Sequence, residues 1–550
     1  MSDTPKQISN ETIFVQLHHI DTYIYRMTQG MRAALFTILI ASFPLHWNIL
    51  FAHSFTSHSS SSAAKSFSSS SSRLKSASDE GGEERSKKRI CVIGGGASGM
   101  FAASIAAKTV QEEGLECEVV VLEGGRKLMT KVEISGGGRC NVMHDATMAL
   151  PQILSSYPRG QRELHGLYAK HFTPQDMKSW FTSRGVTLKT EQDGRMFPIT
   201  DSSQTIMDVI QQEAQKWNVD IQLGCKVMTV EKDDDDDGYF LVTTSAQKQI
   251  QQHAFDSIIL ATGSSPSGHD IASQLGLNMV NPIPSLFTLE LKQQVKDVDG
   301  ILHGLAGLSV PFARITFRYK VPNRKKKQSI TQEGPLLLTH HGLSGPAALR
   351  LSAFAARELA DVNYNCDLSI NWCTSFGTTE EVEDALWTYK STASPKRFVS
   401  SVCPLGNHAN SKQPPPQEEQ QSSTTTSTTP PLIPKRLWNA LCIQSNIQSD
   451  TTWGNISKKQ IRSLSNSLTN LVVYMSGKGI FKEEFVTAGG ISTKDVNMST
   501  MSSKKMDGLY VCGEVLNVDG VTGGFNFMNC WSTGFMAGVG AATFVIGESL

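Results

Sequence analysis

The chain is 550 residues long, with Lys+Arg and Asp+Glu balanced at 51 each, 39% hydrophobic and 19% charged residues. That length allows two or three domains with sizeable cores, and the balanced charge excludes a chain that is cationic overall. Ten cysteines stand at 91, 117, 140, 225, 366, 373, 403, 442, 512 and 530 with no CxxC pair. This pattern excludes a zinc ribbon, a thioredoxin-type dithiol and a disulfide framework. A reducing compartment fits, and no metal site is expected.

Residues 1–86 read as a targeting and low-complexity leader. No Asp or Glu occurs between Asp21 and Asp79, Met31–Ala52 is strongly apolar behind Arg26 and Arg32, and residues 54–76 carry thirteen serines with Lys65, Arg73 and Lys75. An apolar stretch followed by an acid-free, mildly basic, Ser-rich run is a leader pattern. Ala41-Ser42-Phe43-Pro44 is similar to the cleavage region of bipartite plastid leaders in algae with complex plastids, so an organellar destination, a plastid first and a mitochondrion second, is expected. The remaining alternative is a membrane anchor, since about 20 apolar residues can span a bilayer. Pro44, His46 and Asn48 interrupt the run and weigh against it. With the leader removed, no stable membrane association is expected.

Lys87-Lys88-Arg89 leads into Ile90-Cys91-Val92-Ile93, a continuous apolar run of the kind buried in a parallel sheet. Gly94-Gly95-Gly96-Ala97-Ser98-Gly99 and an Ala-rich helix to Lys108 follow, and a second strand, Glu118–Leu122, ends in Glu123. In this βαβ context the GxGxxG spacing has a physical logic. Gly94 makes the tight turn, Gly96 lets the backbone approach a pyrophosphate, and Gly99 lets helix and strand pack closely. The helix start offers free N–H groups and a partial positive charge to phosphates. Glu123 is placed to accept both adenosine ribose hydroxyls and would repel a 2′-phosphate.

Further along, strands at Lys226–Glu231 and Tyr239–Thr243 flank Asp233–Asp237, a solvated hairpin tip that lacks the spaced ligands of a calcium loop. The buried strand Ser257–Leu260 meets Ala261-Thr262-Gly263, and residues 282–338 are strand-rich. Their basic tip, Asn323–Lys327, is read as a solvated turn in preference to a contact for RNA phosphates. Residues 379–470 have a helical pattern broken by a Gln/Pro/Ser/Thr tract at 412–434, which is expected to be disordered.

Two C-terminal segments make the nucleotide FAD. Gly508–Glu514 is a strand followed by Gly513 and the acid Glu514, which such sheets place on the ribityl or pyrophosphate portion. Thr522-Gly523-Gly524-Phe525-Asn526 opens the last helix, whose N–H groups can face the flavin pyrimidine and stabilise negative charge on reduced flavin. No second GxGxxG lies between the inserts, so a separate NAD(P)H domain is not expected. NAD(P)H from solution is the expected electron donor.

ISGGGRCNV (134–142), GRMFPITD (194–201), ILATGSSP (259–266), LTHHGLSGPAALRLS (338–352), FVTAGGIS (485–492) and GLYVCGEVLNVDGVTGGFNFMNCWSTGFMAG (508–538) together resemble the YhiN/BaiN-type flavoproteins. The resemblance runs from about Ile90 to Gly540. It implies an α/β fold: a discontinuous Rossmann-type FAD-binding domain with an inserted β-barrel-like domain and a helical domain. The expected boundaries are 87–282 and 481–550 for the FAD-binding domain, 283–378 for the β insert and 379–480 for the helical domain. Two departures are Gly263-Ser264-Ser265 where the family has ATGG, and Gly268-His269-Asp270 where it has a GSTGDG-like run.

The cofactor set expected here is Gly94, Gly96, Ala97, Ser98, Gly99, Glu123, Gly124, Lys127, Gly138, Arg139, Cys140, Asn141, Val227, Ala261, Thr262, Gly263, Gly513, Glu514, Thr522, Gly523, Gly524, Phe525 and Asn526. The resemblance implies a flavin-dependent oxidoreductase: an enzyme making dihydrouridine in large-subunit rRNA, a reductase of steroid-like enones, or an amine oxidase. Reducing a C=C conjugated to a carbonyl links the first two and needs a protein acid at the α carbon. Cys140 and His340 are candidate donors; Cys140 could instead only pack against the flavin, and His340 only cap a helix. A flavin-binding assembly factor with little turnover is the non-enzymatic alternative. Substrate and oligomeric state stay open.

Overall fold

The computed structural model describes residues 87–233, 238–247, 249–292, 302, 304–320, 326–405, 433–479 and 486–547. The leader, Asp234–Asp237 of the acidic tip, Asn323–Lys325 of the basic tip and residues 412–432 lie outside them.

Five parallel strands, numbered in chain order, make the central sheet: β1 (Lys88–Ile93), β2 (Cys117–Glu123), β6 (Asp220–Leu223), β10 (Ser257–Leu260) and β19 (Leu509–Val511). Their spatial order is β19-β10-β1-β2-β6, with parallel registers such as Ile90 opposite both Val119 and Ser257. Ile90, Cys91, Val92 and Ile258–Leu260 have no exposure at all, which is why both strands read as unbroken apolar runs rather than alternating ones. The order reverses between β1 and β10, and in such sheets ligands bind at the carboxyl ends of the strands at that switch point. Gly94 and Ala261 sit there.

Seven helices matter below: α1 (Ala97–Glu112), α2 (Thr130–Gly138), α3 (Ser203–Lys216), α4 (Thr379–Thr392), α5 (Lys435–Gln444), α6 (Lys458–Thr469) and α7 (Phe525–Ile546). The last helix lies against the first so closely that a Cβ at Gly538 would stand 2.5 Å from the Ala102 carbonyl oxygen. Beside them Phe101 packs on Trp180 (4.5 Å between ring centroids), Trp531 (5.4 Å) and Phe172 (6.0 Å). Each such pair contributes roughly 0.5–1.5 kcal/mol beyond its buried area.

Three small sheets surround this core. Strands β7 (Lys226–Lys232), β8 (Phe240–Ala246) and β9 (Gln249–Phe255) form an antiparallel meander. Strands β3 (Met143–His144), β4 (Leu188–Thr190) and β5 (Arg195–Pro198) pair in the order β3-β5-β4. Strands β11 (Met279–Ser285) and β18 (Val486–Ile491) run antiparallel where the chain leaves and re-enters the nucleotide domain.

Between them, β12 (Leu289–Leu291), β13 (Ser309–Tyr319), β14 (Gln328–Leu338), β15 (Gly342–Ser344), β16 (Cys366–Asn371) and β17 (Leu471–Lys478) close a six-stranded barrel, and β17 pairs back to β12. Along β13, Val310, Ala313, Ile315 and Phe317 point inward and are buried, as strand alternation requires once the bulge after Val310 is counted. Helices α4, α5 and α6 lie in the chain between β16 and β17 and share one apolar core with the barrel, centred on Trp372, Trp438 and Trp453. Thr378 and Ser457 start α4 and α6 with capping boxes. Within 379–480, Leu471–Lys478 is therefore barrel strand, not helical domain. The expected fold class, a split Rossmann-type domain carrying a barrel and helices, is what the structure has.

Candidate functional site

The first helix start is built for an anion. Gly94 turns the chain with φ +109°, and a Cβ there would stand 2.6 Å from the Ala261 carbonyl oxygen, so strands β1 and β10 approach only because this residue is glycine. A Cβ at Gly99 would stand 1.9 Å from the Gly94 carbonyl oxygen. Around Gly96 the reverse holds: an added Cβ would meet nothing within 4 Å. Gly96 has no side chain to cap α1, which leaves the helix start at Ala97 uncapped beside open space, while Ser98 is buried. Thr262 lies against Gly94, and its Oγ1 is buried with no protein partner. Open space at a bare helix start fits a pyrophosphate.

Glu123 closes β2 as expected. Its carboxylate accepts from the Gly95 N–H at 2.7 Å and the Gly125 N–H at 2.6 Å, one bond on each oxygen, which fixes the side chain and leaves acceptor capacity on both oxygens for ribose hydroxyls. Gly124 and Lys127 are exposed beside it, and Lys127 pairs with Glu133 at 3.5 Å. Val227 is buried in β7, the strand that passes next to Gly124.

The distant segments do come together. A Cβ at Gly513 would stand 2.2 Å from the Ser98 Oγ, and one at Gly263 would stand 3.7 Å from a Glu514 carboxylate oxygen. Glu514 is in turn held by Lys131 at 2.6 Å, whose ammonium also donates to the Ser264 hydroxyl at 2.9 Å. Lys131 escaped the sequence reading because nothing local marks it. A Cβ at Gly268 would stand 1.9 Å from the Thr262 Oγ1, so that hydroxyl is packed against the helix start at Pro266. Next to Gly268, His269 has a buried, unpartnered Nε2, and burial holds its pKa below the usual value.

The second helix start, at α7, is fastened from several sides. Gly524 caps it in the left-handed region with no side-chain hydrogen bond, and the loop before it is closed by Asn526, whose amide both accepts from the Gly520 N–H (2.8 Å) and donates to the Gly520 carbonyl (2.9 Å). With its amide oxygen and nitrogen assigned to suit their neighbours, Asn141 donates to the Met143 carbonyl at 3.1 Å and accepts from the Gly524 N–H at 3.0 Å. Both side-chain amides thus bind the protein itself. Thr522 is exposed at the mouth of this loop, while Gly523 and Phe525 are buried.

In the segment 134–142, where Ser135–Gly137 interrupt α2 with non-helical backbone, Gly138 is half-buried. Arg139 lies over the Phe197 ring at 4.0 Å and pairs with Glu191 at 2.8 Å and Asp201 at 3.5 Å. Cys140 is fully buried with φ +57°, and burial pushes its thiol up to about 12. His340 lies elsewhere, exposed on the β14–β15 turn of the barrel. The two candidate donors therefore belong to different environments, one dry and one wet.

A nucleotide cradle at a sheet switch point, joined to a second bare helix start 400-odd residues later in the chain, defines the class: an FAD-dependent oxidoreductase built on a Rossmann-type domain. The chain belongs to the HI0933-like family, whose model, described as the HI0933-like protein Rossmann domain, matches residues 88–540. It is 29% identical to a "ribosomal RNA dihydrouridine synthase" of Haemophilus influenzae over 80% of this chain and 94% of that one. It is 25% identical to a "3-dehydro-bile acid delta(4,6)-reductase" of Clostridium scindens over 81% of this chain and 97% of that one. Among solved structures, the 3-ketosteroid-delta4-(5alpha)-dehydrogenase of Rhodococcus jostii RHA1 in complex with 4-androstene-3,17-dione aligns over 84% of this chain and 98% of its own, with 13% identity and a TM-score of 0.42. Among the described residues, no helix is long and apolar enough to cross a membrane.

Proposed function

We propose that this protein reduces a C=C bond conjugated to a carbonyl, with uridine in organellar large-subunit rRNA as substrate, dihydrouridine as product and NAD(P)H as electron donor. The observation that carries this reading is that the two ends of the nucleotide domain meet at the carboxyl end of the sheet, Gly513 against Ser98 and Gly263 beside Glu514, with α7 laid along α1 at Gly534 and Gly538. Bound flavin supplies hydride chemistry there. The chain's own residues do the rest. The start of α1 holds the pyrophosphate, Glu123 holds the adenosine ribose, and Glu514 with Lys131 faces the ribityl portion. The α7 start presents positive backbone charge to the pyrimidine end.

The proton for the α carbon comes from Cys140 or His340. The Cys140 thiol, pushed up to about 12 by burial, keeps its proton at neutral pH, as an acid must. Two curated relatives bearing the dihydrouridine synthase name, each aligned over 94% of its own length, favour uridine over a small enone. The leader composition supports import into a plastid.

The test is a map of dihydrouridine in organellar rRNA from cells with and without this protein. Loss of one dihydrouridine supports the proposal, and an unchanged map removes the rRNA substrate. Turnover of a steroid-like enone with an unchanged map assigns a small-molecule reductase. FAD that no donor or acceptor can reduce or reoxidise assigns the assembly factor. A reporter fused to residues 1–86 tests the destination.

A further inference from the structure

A buried histidine that no motif announced sits under the second helix start. His144, on β3, is 6% exposed. Its Nδ1 stands 2.8 Å from the Gly523 carbonyl oxygen, and because a carbonyl can only accept, Nδ1 carries the hydrogen. The ring stacks on Phe525 at 4.5 Å and 24°, and the His144 backbone N–H donates to the Met528 sulfur at 3.4 Å. The other ring edge is pressed against Gly194, where a Cβ would stand 2.4 Å from Nε2. The imidazole is thus held on every side, and its single oriented donor points at one peptide.

That peptide has no preference of its own. Gly523 and Gly524 have φ of +129° and +92°, and two adjacent glycines can adopt either peptide orientation at little cost. The surroundings choose. Asn141 accepts from the Gly524 N–H at 3.0 Å, the Tyr157 hydroxyl donates to the Phe525 carbonyl at 2.6 Å, and His144 takes the Gly523 carbonyl. A π-helical turn at Leu167–His171 sets Tyr168 where its hydroxyl meets that of Tyr157 at 2.6 Å.

We propose that His144 is a positioning residue for the flavin: by holding the Gly523 carbonyl it keeps the negative end of that peptide turned away from the cofactor, and so sets the affinity for FAD and its reduction potential. The inference rests on the reading above, in which the α7 start faces the flavin pyrimidine. With the donor gone, only Asn141, at the other end of the same peptide, opposes a turn of the carbonyl toward reduced flavin. Negative charge there would oppose reduction.

The full chain loaded with FAD is compared with His144→Phe, which keeps a stacking ring without the donor, and with the near-isosteric pair His144→Asn and His144→Leu, of which only Asn carries an amide N–H. The readouts are the FAD dissociation constant by flavin fluorescence and the midpoint potential by dye equilibration. His144→Phe and His144→Leu are expected to bind FAD about tenfold more weakly and to be harder to reduce, while His144→Asn recovers both values. Equal behaviour of Asn and Leu, or a potential unmoved in all three, overturns the proposal; if Phe does not fold, the Asn–Leu pair decides. Wild-type protein that never takes up FAD would overturn the flavin reading itself, before any variant is made.

Discussion

Lys131 and Glu514 are 383 positions apart in the chain and 2.6 Å apart in the fold. Lys131 is 57% exposed and Glu514 only 17%, so the cation faces solvent and the acid lies inside. An ion pair with one exposed member contributes less than about 1 kcal/mol to stability. On the proposed reading, its value lies in holding the carboxylate where a ribityl chain would meet it.

A double-mutant cycle separates these roles. Lys131→Ala and Glu514→Gln are expected to show a coupling below about 1 kcal/mol in thermal unfolding, yet Glu514→Gln should release FAD far more readily than wild type. A coupling of several kcal/mol with unchanged FAD affinity would make the pair structural.

Gly99→Ala tests the first helix start. The new methyl would lie 1.9 Å from the Gly94 carbonyl oxygen, and backbone on both sides cannot yield easily. Destabilisation of about 1–3 kcal/mol is expected, with loss of the yellow colour from purified protein. A variant that stays yellow with wild-type unfolding temperature contradicts the assigned packing.

The proton donor is separable by substitution. Cys140→Ala or His340→Ala, whichever removes the acid, should slow substrate reduction about 10²–10⁴-fold while flavin reduction by NAD(P)H is retained. If Cys140 is the donor, its thiol at about 12 predicts a rate that does not fall through the ordinary thiol range as pH rises. A thiol limb near pH 8.5 that disappears in Cys140→Ala would keep Cys140 as the donor and overturn its dry environment.

Asp519 is completely buried and bonded to both forks of the Arg159 guanidinium, with the Ser285 hydroxyl at 3.1 Å. Burial raises its pKa, and Arg159 opposes that rise. Arg159→Ala should cost about 3–5 kcal/mol by stranding the carboxylate. Restoration of most of that loss by adding Asp519→Leu is the expected outcome in denaturant melts, and a loss below 1 kcal/mol for the single change would refute the account.

Acid stability should follow the exposed rim carboxylates. Hydrogen bonds from Thr147 lower the pKa of Asp145, and the Lys189 ammonium followed by Arg139 lowers that of Asp201. Between the lowered folded value and the unfolded one, the unfolded chain binds more protons, so stability rises with pH across that window and is lost as pH falls through the folded values. Unfolding temperature measured from pH 6 down to pH 3 should therefore fall below about pH 4. A flat or rising profile would show that these contacts are not formed.

Much of this was legible in the residues themselves. Ile90–Ile93, the glycine spacing from Gly94 to Gly99 and the acid at Glu123 are local signals, and the structure places all of them at one strand end. Asn526 was legible as part of the helix start but not in its task, since its amide turns back to Gly520 rather than outward. Lys131 and His144 were not legible, because their partners, Glu514 and Gly523, become neighbours only after the sheet and the last helix assemble. Leu471–Lys478 was read with the helices because strand identity there depends on partners on both sides, Cys366–Ile370 and Leu289–Leu291.

The edge position of β19 has a consequence for biogenesis. Ser257 of β10 bonds to Gly508 across 251 positions of chain, and the barrel between them cannot close until β17 arrives. A polypeptide emerging amino end first therefore carries an unfinished sheet edge through most of its synthesis. Such long-range pairing is slow and invites mispairing meanwhile. Glu514 and the α7 start lie in the chain beyond β19, so the proposed FAD cradle is completed only after that edge is closed.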